Sequence, residues 1–194
     1  AHIISMHVDS WALKAKKSGF RTRAVFKLDE IIQKTQVLKR SKYILDLGSA
    51  PGGWSQYIKQ KSKKSEVYAI DILDMESVEG VNFYQESIEN IDTIDPIFSL
   101  MGSVDLAISD IAPNLTGIHA IDTENIFELN ILTLDVAARY LNKSHGSFIM
   151  KTFQNSMLKN LRKKMELSFK IVQTFKPAAS KKQSGEIYLY GAYK

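Results

Sequence analysis

The stretch DLGSAPGGW at positions 46–54 decides the fold of this 194-residue chain. It follows the apolar run at 43–47 and precedes the run Ser-Gln-Tyr-Ile at 55–58, so the order is strand, glycine-rich turn, helix. Its glycines permit a tight turn and let the backbone approach a ligand without a Cβ in the way. The spacing is neither G-x-G-x-x-G nor G-x-x-x-x-G-K-[ST], which disfavours a dinucleotide or nucleoside triphosphate site.

The same alternation of strand and helix continues along the chain. Apolar runs predict strands at 43–47, 67–70, 104–109 and 147–150, and helical periodicity predicts helices at 9–17, 23–36, 123–141 and 159–169. Two further strands, at 170–175 and 186–193, are predicted as a pair at the edge of the sheet. The pattern predicts an α/β, doubly wound fold with a mostly parallel sheet. Lys27 lies off the apolar stripe of its helix and is expected to be accessible.

Composition sets the limits of the molecule. With 44% hydrophobic and 24% charged residues, we expect one domain over 1–194, with 1–40 as a basic helical segment packed on it. No apolar run is long enough to cross a bilayer, so no membrane partner is expected. Cysteine is absent and the histidines are scattered, which disfavours a metal site. The chain starts at Ala1 without a signal-peptide pattern, so we expect a trimmed N-terminus and an intracellular protein, in the cytoplasm or in an organelle such as the mitochondrion.

Charge is distributed unevenly along the chain. Residues 1–40 carry a net charge of +6 and residues 157–194 carry +7, whereas residues 41–156 carry −8. Two basic ends that meet in a compact fold would form one surface for a polyanion, which favours nucleic acid as the partner. The residues expected to contact phosphates are Lys14, Lys16, Lys17, Arg21, Arg23, Lys176, Lys181 and Lys182.

Two aspartates indicate the kind of cofactor. Ligands of such a sheet bind beyond the carboxyl ends of the strands. Asp46 lies where the glycine-rich loop begins and suits a cationic ligand, and Asp71, at the end of the next strand, suits the two hydroxyls of a ribose. A glycine-rich loop alone is commonly a turn with capping aspartates, but loop, acid and strand order together favour S-adenosylmethionine.

Three charged residues follow or begin strands and, together with Lys27 on a helix, form a candidate catalytic set. Asp110 ends the strand before Ile-Ala-Pro-Asn, Lys151 follows Phe-Ile-Met, and Glu186 begins the last strand. With Lys27 they would meet at one cleft. Singly, each is most often a solvated side chain at the end of a strand; as a set they indicate chemistry.

Five segments resemble, in order and over nearly the whole chain, the signatures of the FtsJ/RrmJ family of ribosomal RNA methyltransferases. They are SGFRTRAVFKLDEI (18–31), DLGSAPGGWSQY (46–57), DIAPN with a following TG (110–117), GSFIMKTFQ (146–154) and GEIYLYG (185–191). The resemblance implies a seven-stranded, Rossmann-like methyltransferase fold that uses S-adenosylmethionine. It also implies a Lys-Asp-Lys-Glu tetrad at Lys27, Asp110, Lys151 and Glu186.

The cofactor contacts expected from the loop and the resemblance together form a longer set. They are Asp46, Gly48, Ser49, Pro51, Gly52, Gly53, Trp54, Asp71, Ile72, Ser87, Ile88 and Asp110. The chain departs from the family at Ser87, where an acid usually reaches the amino group of adenine. Glu86 is the neighbouring acid that would substitute for it.

The resemblance implies methyl transfer to a ribose 2′-hydroxyl. A lysine acts as a general base at neutral pH only when its pKa is lowered, as burial near other positive charges does. We assign this role to Lys151, with Asp110 orienting it and with Lys27 and Glu186 holding the ribose. The residues of the motifs resemble the large-subunit ribosomal RNA branch of the family more than the tRNA branch. In that branch the substrate is a uridine in the peptidyl-transferase region. We also expect the protein to be a monomer and to act on a ribosomal particle.

Three alternatives remain at this point. The same tetrad serves 2′-O-methyltransferases of the tRNA anticodon loop and of the messenger cap. A non-catalytic RNA-binding module would keep the fold and lose the tetrad, which is intact here. A nicotinamide-dependent oxidoreductase would share the scaffold, but the loop spacing opposes it.

Overall fold

Seven strands form one sheet in a computed structural model of the chain, which describes residues 9–181 and 183–194. The strand order is β3-β2-β1-β4-β5-β7-β6, with bounds β1 Tyr43–Leu47, β2 Glu66–Asp71, β3 Val81–Gln85, β4 Leu106–Ser109, β5 Ser147–Phe153, β6 Ile171–Phe175 and β7 Glu186–Ala192. The predicted fold class is confirmed. The predictions that concern His2, His7 and Lys182 lie outside the described residues.

The described residues contain six α-helices; two precede β1 and four lie between strands along the chain. They are α1 Ser10–Lys17, α2 Val25–Thr35, α3 Gly53–Lys61, α4 Asp95–Phe98, α5 His119–Tyr140 and α6 Leu158–Ser168, with 3₁₀ helices at Val37–Arg40 and Ile88–Thr93. The Asp9 carboxylate caps α1 by accepting the backbone N–H groups of Trp11 and Ala12. No helix of the described ranges is both long and apolar enough to cross a membrane.

The last two strands form the predicted pair at one side of the sheet. β7 runs antiparallel between β5 and β6, so β6 is the edge strand and β7 lies next to it. The prediction of a strand pair at the edge is confirmed. β7 buries Tyr188 and Leu189 on its two faces, which suits a strand in the sheet interior, whereas Gln173 and Thr174 of β6 are exposed.

Helices cover both faces of the sheet. Leu134 of α5 and Met165 of α6 belong to the core on one face, and Leu28 of α2 and Ile58 of α3 belong to the core on the other. Side chains alternate between faces along a strand. Ile149 packs in the core beneath α2 and α3, so Lys151, two residues further along β5, faces that side as well.

Candidate active site

Two lysines and two acids meet beyond the carboxyl end of β4. Lys27 Nζ lies 2.6 Å from Glu186 Oε1, and Lys151 Nζ lies 3.6 Å from Asp110 Oδ1. The two side chains of the first pair are each 13% exposed, and those of Lys151 and Asp110 are 15% and 22% exposed. The structure therefore brings together all four residues that the sequence indicated, in a partly buried cleft where charge interactions are stronger than in water.

Lys151 lies inside a strand. The sequence predicted that the strand ends at Met150, but β5 continues to Phe153 because β7 pairs with it along its whole length. Lys151 lies directly opposite Tyr188 in this ladder, and its carbonyl accepts a 2.9 Å hydrogen bond from the Asn130 side chain. Its backbone is thus fixed on both sides, which limits the positions open to the ammonium group.

Lys27 is less accessible than the sequence predicted. It lies in the first turn of α2, and its side chain points to Glu186 instead of to solvent. The indole N–H of Trp54 donates a 2.9 Å hydrogen bond to the carbonyl of Ala24, which holds the start of α2 against α3. This contact sets the depth of Lys27 in the cleft.

Tyr188 is a member of the site that the sequence reasoning missed. Its hydroxyl lies 2.6 Å from Asp110 Oδ1 and 3.1 Å from Glu186 Oε1, so it bridges the two acids of the tetrad. The ring is fully buried and packs against Trp54 at a centroid distance of 5.8 Å. The signal was present in the sequence, since residues two apart on a strand share a face and Tyr188 is two residues from Glu186.

The pKa values of the two acids of the tetrad are shifted in opposite directions. Burial raises the pKa of Asp110, against the lowering effects of the Lys151 charge and of the hydrogen bond from Tyr188. Burial also acts to raise the pKa of Glu186, but the hydrogen bond and charge of Lys27 outweigh it and hold that pKa below its ordinary value. Glu186 is therefore ionised at neutral pH, and its charge is compensated by Lys27.

Asp46 is a third buried acid beneath the site. It is 1% exposed, and burial raises its pKa from 3.8 to about 7, although the Ser55 hydroxyl donates a 2.7 Å hydrogen bond to Oδ2. The negative charges of Asp110 and Asp71 act in the same direction as burial. A nearby cation would therefore favour the ionised form of Asp46.

Asp71 fixes the glycine-rich loop to the end of β2. Its Oδ2 accepts the N–H of Ala50 and its Oδ1 accepts the N–H of Leu73, both at 2.9 Å. Gly48 has φ 78°, and a Cβ there would lie 2.2 Å from Ile111, so the position requires glycine. The loop thus closes against both β2 and the segment that follows Asp110.

Arg21 clamps this loop from outside. Its guanidinium donates hydrogen bonds to the carbonyls of Pro51, Glu76 and Ser77 at 2.6 to 2.8 Å. Gly52 has φ 110°, and a Cβ there would lie 2.8 Å from Arg21 Nη1. The Arg21 guanidinium therefore holds the loop, and the expected contact of this residue with phosphate stays a prediction.

Other expected cofactor residues turn their side chains elsewhere. Trp54 is 3% exposed with its indole in the core, and its backbone N–H lies in the first turn of α3, where N–H groups have no partner within the helix. The Ser49 hydroxyl contacts the Met75 sulfur, and Ile88 is 8% exposed. Ile72, in contrast, is 66% exposed directly beside Asp71 and offers an apolar surface.

Ser87, the residue at which this chain departs from the family, lies in the turn after β3. Ser87 Oγ accepts the N–H of Glu89 and caps the 3₁₀ helix that follows. The Glu86 carboxylate folds back onto the Ser87 N–H at 2.8 Å and onto Asn90 at 3.1 Å. These contacts occupy Glu86 within its own turn and leave the Ser87 hydroxyl able to donate a hydrogen bond.

The two basic ends of the chain lie against each other. Arg23 donates to the carbonyl of Ala179 at 2.6 Å and forms an ion pair with Asp9, and the Ala178 N–H donates to the Glu30 carboxylate. Arg23 is thus occupied within the protein.

Among the described residues, no three acidic, histidine or cysteine side chains are grouped to hold a metal ion. A mechanism without metal stays a prediction.

The sheet order and the glycine-rich loop after β1 fit the methyltransferase fold that the motifs implied, and comparison with known proteins agrees. A model of the family described as FtsJ-like methyltransferase matches residues 20–194. The chain therefore belongs to the FtsJ-like methyltransferase family, which confirms the resemblance that its motifs indicated.

Individual relatives extend the comparison. A protein of Neisseria gonorrhoeae named "Ribosomal RNA large subunit methyltransferase E" is 40% identical over 189 residues, covering 96% of this chain and 91% of that protein. A protein of the same name in Methanocella arvoryzae is 38% identical over 183 residues, covering 94% and 71%. A solved structure described as a ribosomal RNA methyltransferase of Plasmodium falciparum superposes with a TM-score of 0.79 at 31% identity, covering 89% of this chain and 97% of that one.

Proposed function

We propose that this protein transfers a methyl group from S-adenosylmethionine to the 2′-hydroxyl of a uridine ribose in large-subunit ribosomal RNA, presented in a ribosomal particle. The observation that carries the proposal is the meeting of Lys27, Asp110, Lys151 and Glu186 in one cleft beside a ligand loop. The relatives named as large-subunit methyltransferases support the choice of RNA.

The residues around the loop fit the cofactor. Asp46 and Asp71 supply negative charge for a ligand with an ammonium and a sulfonium, and Asp71 keeps free lone pairs for ribose hydroxyls. The N–H groups in the first turn of α3 lie at the positive end of the helix dipole and suit a carboxylate. Exposed Ile72 suits an adenine face, and the Ser87 hydroxyl takes the place of the usual acid. When bound, S-adenosylmethionine supplies an electrophilic methyl group.

The tetrad would then prepare the acceptor oxygen. Lys151 Nζ, in its neutral amine form, takes the proton of the 2′-hydroxyl, and Asp110 Oδ1, 3.6 Å away, holds the ammonium that results. The Lys27 and Glu186 pair holds the ribose, with Lys27 donating to the 2′-oxygen. Alignment of the oxygen by fixed groups contributes a large part of such a rate increase.

Phosphate contacts would come from the exposed lysines of the two basic ends. Lys14, Lys16 and Lys17 are exposed on α1, and Lys181 is exposed in the loop between β6 and β7. Lys176 donates to the carbonyls of Ser184 and Glu186 and so also shapes the loop before β7. Such contacts position RNA without reading its sequence.

The test is methyl transfer from labelled S-adenosylmethionine to three substrates side by side: large ribosomal subunits that lack modification, unmodified tRNA and capped RNA. Label in a ribose of large-subunit RNA is the expected result. Label in tRNA or cap would move the substrate assignment to that alternative. Tight cofactor binding with no label in any RNA would overturn the proposal in favour of a binding module.

A further inference from the structure

A second cationic surface lies at the opposite end of the strands from the active site. A cleft of about 740 Å³ opens between the segment 38–42, before β1, and the segment 61–64, which begins at the last residue of α3. Six of its nine lining residues are basic: Lys39, Arg40, Lys42, Lys61, Lys63 and Lys64. We call this the basic cleft. It lies at the amino ends of β1 and β2, roughly 15 to 20 Å from the carboxyl ends at the rise of a strand.

The charges of the basic cleft are not neutralised by the protein. Within the described ranges, none of its six cations lies within 4.0 Å of a carboxylate. All six residues are exposed. Lys42 and Lys61 lie over the rings of Tyr43 and Tyr57 at 5.0 and 5.9 Å, which orients them and leaves their charge intact. Such a concentration of like charge is unfavourable without an anionic partner.

The floor of the basic cleft is held by hydrogen bonds. The hydroxyl of buried Ser65 donates to the carbonyl of Ser41 at 2.6 Å, which joins the two sides, and Ser41 Oγ donates to the carbonyl of Val37. Lys59 Nζ donates to the carbonyls of Lys63 and Ser65 and fixes the turn that carries the lysine pair. The cleft is therefore shaped in advance and needs little ordering to bind a ligand.

A neighbouring groove connects the basic cleft to the glycine-rich loop. This groove of about 700 Å³ shares Lys63 with the cleft and continues along α3 past Lys59 to Arg21, which contacts Pro51 of the loop. Glu79 is the one acid in its lining. A chain of phosphates that leaves the active-site edge could thus follow α3 to the basic cleft.

We propose that the basic cleft binds the phosphate backbone of a second segment of the substrate RNA, distant in the strand from the methylated ribose. The inference rests on the proposed function, because a folded large-subunit RNA presents phosphates on several sides whereas a short strand does not. Lysine and arginine contacts to phosphates release counterions and make binding strongly dependent on salt.

The test compares two matched charge removals. Lys63→Ala with Lys64→Ala removes one side of the cleft, and Lys163→Ala with Lys164→Ala removes an equally exposed lysine pair on α6 as control. Methyl transfer to large subunits and RNA binding by mobility shift are measured over a salt series. We expect the cleft variant to raise KM for subunits roughly tenfold at unchanged kcat and to lower the salt slope of binding by about 1 to 2. The control and a short oligonucleotide substrate should show no change.

Each other outcome is decisive. Equal KM and salt slope in the cleft variant and wild type would overturn the proposal even though methylation proceeds. Weaker binding to intact particles with unchanged binding to naked RNA would overturn it in favour of an acidic ribosomal protein as partner. If wild type methylates no RNA, the proposed function fails, while the mobility shift still shows whether the cleft binds RNA.

Discussion

The Tyr188 hydroxyl donates to Asp110 Oδ1 at 2.6 Å while lying 3.1 Å from Glu186 Oε1. This links β7 to the turn after β4 and connects the two ion pairs of the tetrad. Loss of the hydroxyl should therefore affect the electrostatics of both acids without removing a charge.

Tyr188→Phe tests this link. Because the hydrogen bond lowers the pKa of Asp110 against burial, its loss should raise that pKa further and move the acid limb of the kcat profile to higher pH. We expect kcat at neutral pH to fall about tenfold, since a hydrogen bond to a charged group contributes about 1.5 kcal/mol or more. The affinity for S-adenosylmethionine, measured by calorimetry, should equal that of wild type. An unchanged pH profile would reduce Tyr188 to a packing role.

Lys151→Ala tests the assignment of the base. Turnover should be lost while cofactor affinity stays close to wild type, because the loop residues are untouched. Lys27→Ala should lower turnover less, since the role we propose for its ammonium is to position the ribose. Both are compared with Lys164→Ala, an exposed lysine on α6. A Lys151→Ala enzyme with most of its activity would refute the assignment.

Arg21→Ala separates the loop clamp from RNA binding. Removal of three hydrogen bonds to the carbonyls of Pro51, Glu76 and Ser77 should loosen the loop and weaken S-adenosylmethionine binding by about tenfold. RNA affinity should change little. Arg21→Lys should not restore binding, because an ammonium lacks the planar fork. The reverse pattern, with RNA affinity lost and cofactor affinity kept, would return Arg21 to the RNA surface.

Asp46 predicts a pH dependence of stability in the absence of cofactor. Below pH about 4 its carboxyl is protonated in both states, and above pH 4 it ionises first in the unfolded chain because burial raises the folded pKa to about 7. The free energy of unfolding therefore loses this contribution as pH rises from 4 to 7, and the loss stays constant above pH 7.

Asp46→Asn should remove this dependence. Its unfolding free energy relative to wild type, measured in urea at several pH values, should rise between pH 4 and 7 and then level off. A constant difference across that range would show that Asp46 titrates normally in the folded protein.

Much of the fold and site followed from local patterns. β1 and β5 contain the apolar runs 43–45 and 148–150, and the residues after such runs are where a parallel sheet places its ligands. The sequence did not predict β3, because Val81–Gln85 is short, contains polar residues and forms an edge strand of the sheet. The register that sets Lys151 opposite Tyr188 depends on pairing between segments distant in sequence, which no local pattern reports.

The basic cleft was not predicted from the sequence for a related reason. Counting charge by segment assigned Lys39 and Arg40 to the basic N-terminal part and Lys63 and Lys64 to an acidic middle with a net charge of −8. The fold joins the two segments through Ser41 and the turn after α3. A charge average along the chain cannot show a cluster that forms only in three dimensions.

The position of β7 has a consequence for synthesis of the protein. Glu186 and Tyr188 enter the sheet on a strand that fills the gap between β5 and β6. A nascent chain that stops before residue 186 has two open strand edges and lacks one of the two acids of the proposed tetrad. We therefore expect methylation activity only after translation has passed this strand, and we expect prematurely terminated chains to be inactive and prone to association through the open edges.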